Sequence, residues 1–156
     1  YRVTKALNGP APLSKIPVMI GGGGERKTLR MVAQYADESN LLCTPADIPR
    51  KLDALAEHCE RLGRDRSEIT VTVQTSACVA PTAAEATAEL EAYLERTPAA
   101  ESRRGSTIVG DPDEVAARYA ELLATGVDGV TVNAPANGHV PGRVSLLGET
   151  LAPLLA

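Results

Sequence analysis

Apolar residues along this chain switch repeatedly between the unbroken or two-residue pattern of strands and the 3.6-residue stripe of helices, and this alternation constrains the fold more than any other feature. Strand-like segments stand at residues 16–21, 38–43, 69–79 and 127–133, with amphipathic stretches between them. Strands joined through a helix must lie parallel, with right-handed crossovers. The predicted order is strand, helix, strand, helix, strand, helix, helix, strand, helix. Four such βα units are half of an eight-stranded barrel, whose usual length is about 250 residues. An open doubly wound sheet is the alternative.

Local signals support the same plan. Ile16 to Gly21 is nearly unbroken in apolar character, as expected of a parallel strand covered on both faces. Leu29, Val32, Ala33 and Ala36 form one buried helical stripe. Thr44-Pro45-Ala46-Asp47 reads as a helix start capped by Thr44; Leu52, Leu55, Ala56, Cys59 and Leu62 form the buried face, and Gly63 is the stop. The segment 69–79 alternates Val71, Val73, Thr75 and Ala77 with Thr72, Gln74, Ser76 and Cys78. Capping signatures open helices at Thr82 and Asp111. Residues 97–110 read as a solvated inserted loop and 1–15 as a lead-in loop punctuated by Pro10 and Pro12, within one partial barrel domain over 1–156.

Four consecutive glycines, Gly21 to Gly24, separate the first strand from Glu25-Arg26-Lys27-Thr28. Glycines let a ligand approach backbone amides closely, and the free N–H groups and positive dipole of a helix start attract an anion, phosphate being the simplest. A tight strand-to-helix turn needs glycines as well. A Walker A loop fits from Gly21 except at Arg26, where its second glycine belongs, and no later strand ends in an Asp suited to magnesium. The dinucleotide fingerprint fails at Arg26 too.

The net charge of −4 with mixed signs, and four Tyr without Phe or Trp, point away from nucleic acid. No apolar stretch reaches the roughly 20 residues of a membrane span, so a soluble cytoplasmic protein is expected. Cys43, Cys59 and Cys78 lack metal-ligand spacing; no metal is expected, and Cys59 and Cys78 read as core residues. The opening Tyr1-Arg2-Val3 suggests a fragment.

Barrel chemistry sits at the C-terminal ends of strands. Asn40, Cys43, Ser76, Asn133 and the loop residue His139 are therefore substrate-pocket candidates. Against that, strand-end Asn residues cap turns and loop His residues are commonly solvated. His58 reads as surface or packing. Glu85 and Glu89, and Asp113 and Glu114, are explained by helix dipoles.

Ile16-Pro-Val-Met-Ile-Gly-Gly-Gly-Gly-Glu-Arg-Lys-Thr-Leu-Arg-Met-Val-Ala-Gln-Tyr-Ala-Asp-Glu-Ser-Asn40, with Gly110-Asp-Pro-Asp-Glu-Val115 and Gly126-Val-Asp-Gly-Val-Thr-Val-Asn133, resembles the luciferase-like monooxygenase superfamily, in particular its coenzyme F420-dependent oxidoreductases. The resemblance implies the C-terminal half of a (β/α)8 barrel: an α/β half-barrel of four parallel strands with outer helices. It implies F420, or alternatively FMN, held by its phosphate at Gly22, Gly23, Gly24, Glu25, Arg26 and Thr28. Thr28 would donate its hydroxyl and the others mainly amides, with the Glu25 carboxylate turned outward or toward Arg26. The implied activity is hydride transfer or monooxygenation of a small organic substrate. The family's N-terminal half supplies other pocket walls, so the isolated chain is expected to be inactive and to act with that half or as a homo-oligomer. A non-catalytic half-barrel that binds cofactor weakly or serves in assembly is the alternative, and a phosphate-binding NTPase a remote third.

Overall fold

A parallel sheet is seeded by two aspartates that stand immediately before strands. Asp37 accepts the Val18 amide at 2.9 Å, and Asp128 accepts the Val71 amide at 2.6 Å. Each ties the start of its own strand to the start of a neighbour. The computed structural model describes Thr4, Gly9 and residues 12–154, so Pro10 and most of the lead-in loop lie outside the described residues. The elements are β1 (Met19–Gly21), α1 (Thr28–Tyr35), β2 (Glu38–Leu41), α2 (Ile48–Leu62), β3 (Thr70–Val79), α3 (Ala83–Arg96), β4 (Thr107–Gly110), α4 (Pro112–Leu123), β5 (Gly129–Asn133) and α5 (Arg143–Leu151).

Every strand pair is parallel. β1 pairs with β2, and β2 with β3 over Thr70–Val73. β5 pairs with β3 over Thr72–Ser76, and β4 over Ser76–Val79. Thr72 and Val73 thus have partners in both β2 and β5, and Ser76 in both β4 and β5. One edge of β3 therefore carries β5, while the other carries first β2 and then β4. Between those two, Gln74 and Thr75 have no strand beside them on that edge.

Burial follows the alternation along β3. Val71 and Val73 pack with Leu41, Leu29, Val32, Ile48, Leu55 and Cys59, placing α1 and α2 on the outer face. Ala77 and Val79 pack with Val115, Tyr119, Leu147 and Leu151, placing α4 and α5 there as well. Cys78 points the other way and meets Leu90, Leu94 and Ala100. On the concave face, Thr72 and Thr131 both donate hydroxyls to Asn40 Oδ1 at 3.2 Å. A contact between β2 and β5, which are not paired, requires the sheet to curl over β3 as a barrel wall does.

Several expectations are corrected. The segment 97–110 is a 3-10 run (Pro98–Ser106) leading into β4, so the sheet has five strands rather than four. α3 covers the face opposite the other helices at the far end of β3, because Cys78 and partly buried Val109 give it an apolar floor there. The first strand is shorter than its apolar run, and Ile16, Val18 and Met19 are exposed, since β1 is an edge strand with helices on one face only. Ala56 and exposed Leu62 fall outside the α2 stripe of Ile48, Leu55 and Cys59. Thr44 does not cap a helix: its hydroxyl donates to Asp47, and a 3-10 turn over Pro45–Asp47 precedes α2. The Leu29, Val32, Ala33 and Ala36 stripe is fully buried, Gly63 ends α2 in the left-handed region at φ 64°, and Asp111 and Glu114 complete a capping box.

Candidate functional site

The glycine turn is shaped by what lies against it. Gly22 has φ 128°, which L side chains rarely adopt, and its amide donates to the Asn40 carbonyl at 2.9 Å. At Gly23 a Cβ would stand 2.6 Å from the Leu42 carbonyl oxygen, and at Gly24 it would stand 3.0 Å from Thr28 Oγ1. Strain therefore disfavours a side chain at the first position, backbone blocks one at the second, and Thr28 would have to give way to one at the third. α1 starts at Thr28 rather than Glu25, after a wide turn in which the Leu29 amide reaches back to the Gly24 carbonyl at 3.0 Å. Arg26 and Lys27 precede the helix, whose first turn carries no acidic residue. Among the described residues, the amides of Gly23 through Lys27 donate to no backbone acceptor, and the Thr28 hydroxyl beside them forms no hydrogen bond within the chain.

α2 braces this turn from below. The Glu25 carboxylate accepts from Lys51 Nζ at 2.7 Å and from Arg50, so it turns toward α2 and not toward Arg26. The Glu25 carbonyl accepts from His58 Nε2 at 2.8 Å. Lys51 is largely covered, with 13% of its side chain exposed, and its Cε lies 3.8 Å from where a Gly23 Cβ would be. Arg26 is exposed and has no ion-pair partner among the described residues.

The other face of the Leu42 segment opens into a cleft of about 1110 Å³. It lies over the gap beside Gln74 and Thr75, between the end of β2 and the β4–α4 pair. Cys43, Ser76 and Asn133 line it together with Arg103 and Arg118. The Thr75 hydroxyl is already bonded to Tyr119 Oη at 2.8 Å. Of the five pocket candidates, then, three meet. Asn40 is held on the concave face by Thr72 and Thr131, and His139 is exposed on the loop after β5, away from the cleft. Burial pushes the Cys43 thiol up, against the pull of Lys51, so near neutral pH it is a thiol rather than a thiolate nucleophile.

That loop is clamped. Asn137, fully buried, donates to the Val79 carbonyl at 2.9 Å and to Glu89 at 2.6 Å, and Arg143 donates to Glu89 at 2.6 Å and also meets Glu85. Arg143 above all, with Asn137, holds the Glu89 carboxyl below its ordinary range. Glu85 and Glu89 thus serve a cross-element tie in addition to their place early in α3.

The luciferase-like monooxygenase family model matches residues 1–129. The chain belongs to that family. No curated protein matches this luciferase-like chain in sequence. Among solved structures it is similar to an F420-dependent secondary alcohol dehydrogenase in complex with an F420-acetone adduct (14% identity, TM-score 0.76, covering 97% of this chain and 52% of that one). It is similar to the coenzyme F420-dependent tetrahydromethanopterin reductase of Methanopyrus kandleri (20%, 0.66, 90% and 51%). It is similar also to the oxygenating constituent of 3,6-diketocamphane monooxygenase from Pseudomonas putida, in complex with FMN (17%, 0.66, 90% and 49%). The chain spans about half the length of these structures. The likeness shows the fold, half of a parallel (β/α)8 barrel.

Sequence reasoning missed Arg50, Lys51 and His58 of this luciferase-like chain. A signal was present: Lys51 and His58 are seven apart, on the helical stripe that includes buried Leu55. A polar pair on that stripe must find polar partners in a neighbouring element.

Proposed function

We propose that this chain forms the phosphate-holding half of a deazaflavin- or flavin-dependent oxidoreductase acting on a small organic substrate, with coenzyme F420 as first choice of cofactor and FMN as second. The observation that carries this reading is the run of amides from Gly23 to Lys27 without acceptors, flanked by the Thr28 hydroxyl. Donors without acceptors in a glycine arc, ahead of a helix whose positive end faces them, suit a phosphate. The Glu25 carboxylate, which would repel an anion, is neutralised by Arg50 and Lys51.

The residues present fit the phosphate end of such a cofactor. Gly22, Gly23 and Gly24 keep side chains out of the cradle, the amides of Glu25 and Arg26 would donate into it, and Thr28 would add a hydroxyl. When bound, the cofactor ring supplies the redox chemistry, and the protein supplies position and exclusion of water. Cys43, Ser76 and Asn133, gathered in one cleft beside the cradle, are the residues we assign to the substrate side. The span of half the length of related structures favours one further element: the 156 residues bind cofactor without turning substrate over, because a ring held only by its phosphate lacks the remaining walls.

The test is a two-dimensional amide NMR titration of the 156-residue chain with coenzyme F420, FMN and riboflavin. F420 and FMN are expected to shift the amides of residues 23–28, with FMN binding at least about tenfold tighter than riboflavin through its charge-assisted phosphate contacts. Equal binding of FMN and riboflavin, or shifts that avoid residues 23–28, would overturn the reading.

A further inference from the structure

We propose that His58, on α2, is a positioning residue that aims the Arg26 amide into the anion cradle. The proposal rests on the phosphate-cradle reading above and concerns how that cradle keeps its shape.

A turn made of glycines cannot hold itself. Each glycine loses more backbone freedom on ordering than any other residue, and a row of amides without acceptors gains nothing from pointing the same way before the anion arrives. Some contact outside the turn must select the orientation. The described structure offers one direct grip on the peptide groups between Gly24 and Thr28 from another element, the bond from His58 Nε2–H to the Glu25 carbonyl at 2.8 Å.

The consequence follows from peptide geometry. In a planar trans peptide, the carbonyl of residue 25 and the N–H of residue 26 point in opposite directions. Pulling the Glu25 carbonyl down onto α2 therefore turns the Arg26 N–H up, away from α2. The grip is a selective one. The Arg61 guanidinium lies 3.5 Å from His58 Nδ1, which suits an imidazole whose hydrogen is on Nε2. The Glu25 carboxylate is occupied by Arg50 and Lys51, so it does not compete for His58. His58 touches neither cradle amide nor hydroxyl; it acts through the peptide that joins Glu25 to Arg26.

The experiment measures FMN and riboflavin binding to the 156-residue chain and to His58→Phe, His58→Gln and His58→Asn, with the Arg26 amide resonance as local reporter. Gln can place its amide nitrogen near the position of Nε2, whereas Asn is too short. His58→Phe and His58→Asn are expected to cut the preference for FMN over riboflavin about fivefold, the weight of one net hydrogen bond, while riboflavin affinity stays unchanged. His58→Gln is expected to keep the preference within about twofold. The Arg26 resonance should lose its response to FMN in the first two variants only. An unchanged preference in His58→Asn overturns the proposal, as does equal weakening of both ligands, which would make His58 a support of the fold alone. A wild-type chain with no preference for FMN overturns the cradle reading itself, and that outcome is distinct from a wild-type preference that survives every His58 substitution.

Discussion

Leu42 separates two regions built from opposite materials. On one side its carbonyl presses against Gly23, in a turn whose chemistry is nearly all backbone. On the other it borders a cleft walled by side chains from β3, β4, α4, the end of β5 and the segment that follows β2. In the turn a positive φ, a carbonyl and, less severely, a threonine hydroxyl stand against a side chain at successive positions. The cleft is lined by side chains of mixed kind, from Ser76, Thr107 and Asn133 to Val73, Leu122 and Arg118. The difference teaches where tolerance lies: an exposed cleft position such as Asn133 has room for another side chain, whereas at Gly23 any side chain meets the Leu42 backbone.

The sharpest way to break that comparison is Gly23→Ala. The added methyl must displace the Leu42 carbonyl, and we expect a loss of about 1–3 kcal/mol in denaturant unfolding together with loss of the FMN preference. A neutral result would mean that the turn is as tolerant as the cleft. Next in size is Glu89→Gln in the clamp beneath the loop after β5. The Glu89 carboxyl is held below its unfolded value, so its charged form stabilises the fold; that contribution is present above about pH 5 and fades as pH falls through the folded value. Glu89→Gln should therefore cost about 1 kcal/mol at neutral pH, with the gap to wild type closing on acidification. A gap that widens below pH 4 would give the clamp the opposite sign. The smallest effect is expected from Arg26→Ala, about 0.3–1 kcal/mol in FMN binding and less at high salt, because the side chain is exposed and acts only as a screened charge. A loss as large as that of Gly23→Ala would make the cradle a charge site instead of a backbone one.

Much of this was legible before any coordinates. Periodicity located β3 and the buried α1 stripe, because each pattern repeats often enough to be distinct. The four residues of β4 carry too few repeats for a period, and they follow a polar run whose composition resembles a loop. The glycine turn was legible as a turn because its signal is consecutive. The support from α2 was not, since the contact between His58 and Glu25 spans 33 positions and needs the packing of α2 under the turn to exist. Asn133 ends β5, whereas Ser76 lies inside β3, which continues to Val79; the two are register partners across β3 and β5. His139 was misplaced relative to the cleft because the Asn137 and Arg143 clamp draws the loop toward α3.

The shared edge of β3 has a bearing on how such a sheet can vary. The register of β2, β3 and β5 is complete by Ser76, and β4 adds to β3 only from there outward. The detour from Pro81 to Thr107 can thus lengthen, shorten or change composition while the barrel wall keeps its alignment. What changes with it is the roof of the cleft, so the architecture separates the part whose alignment strand pairing fixes from the part that strand pairing leaves free.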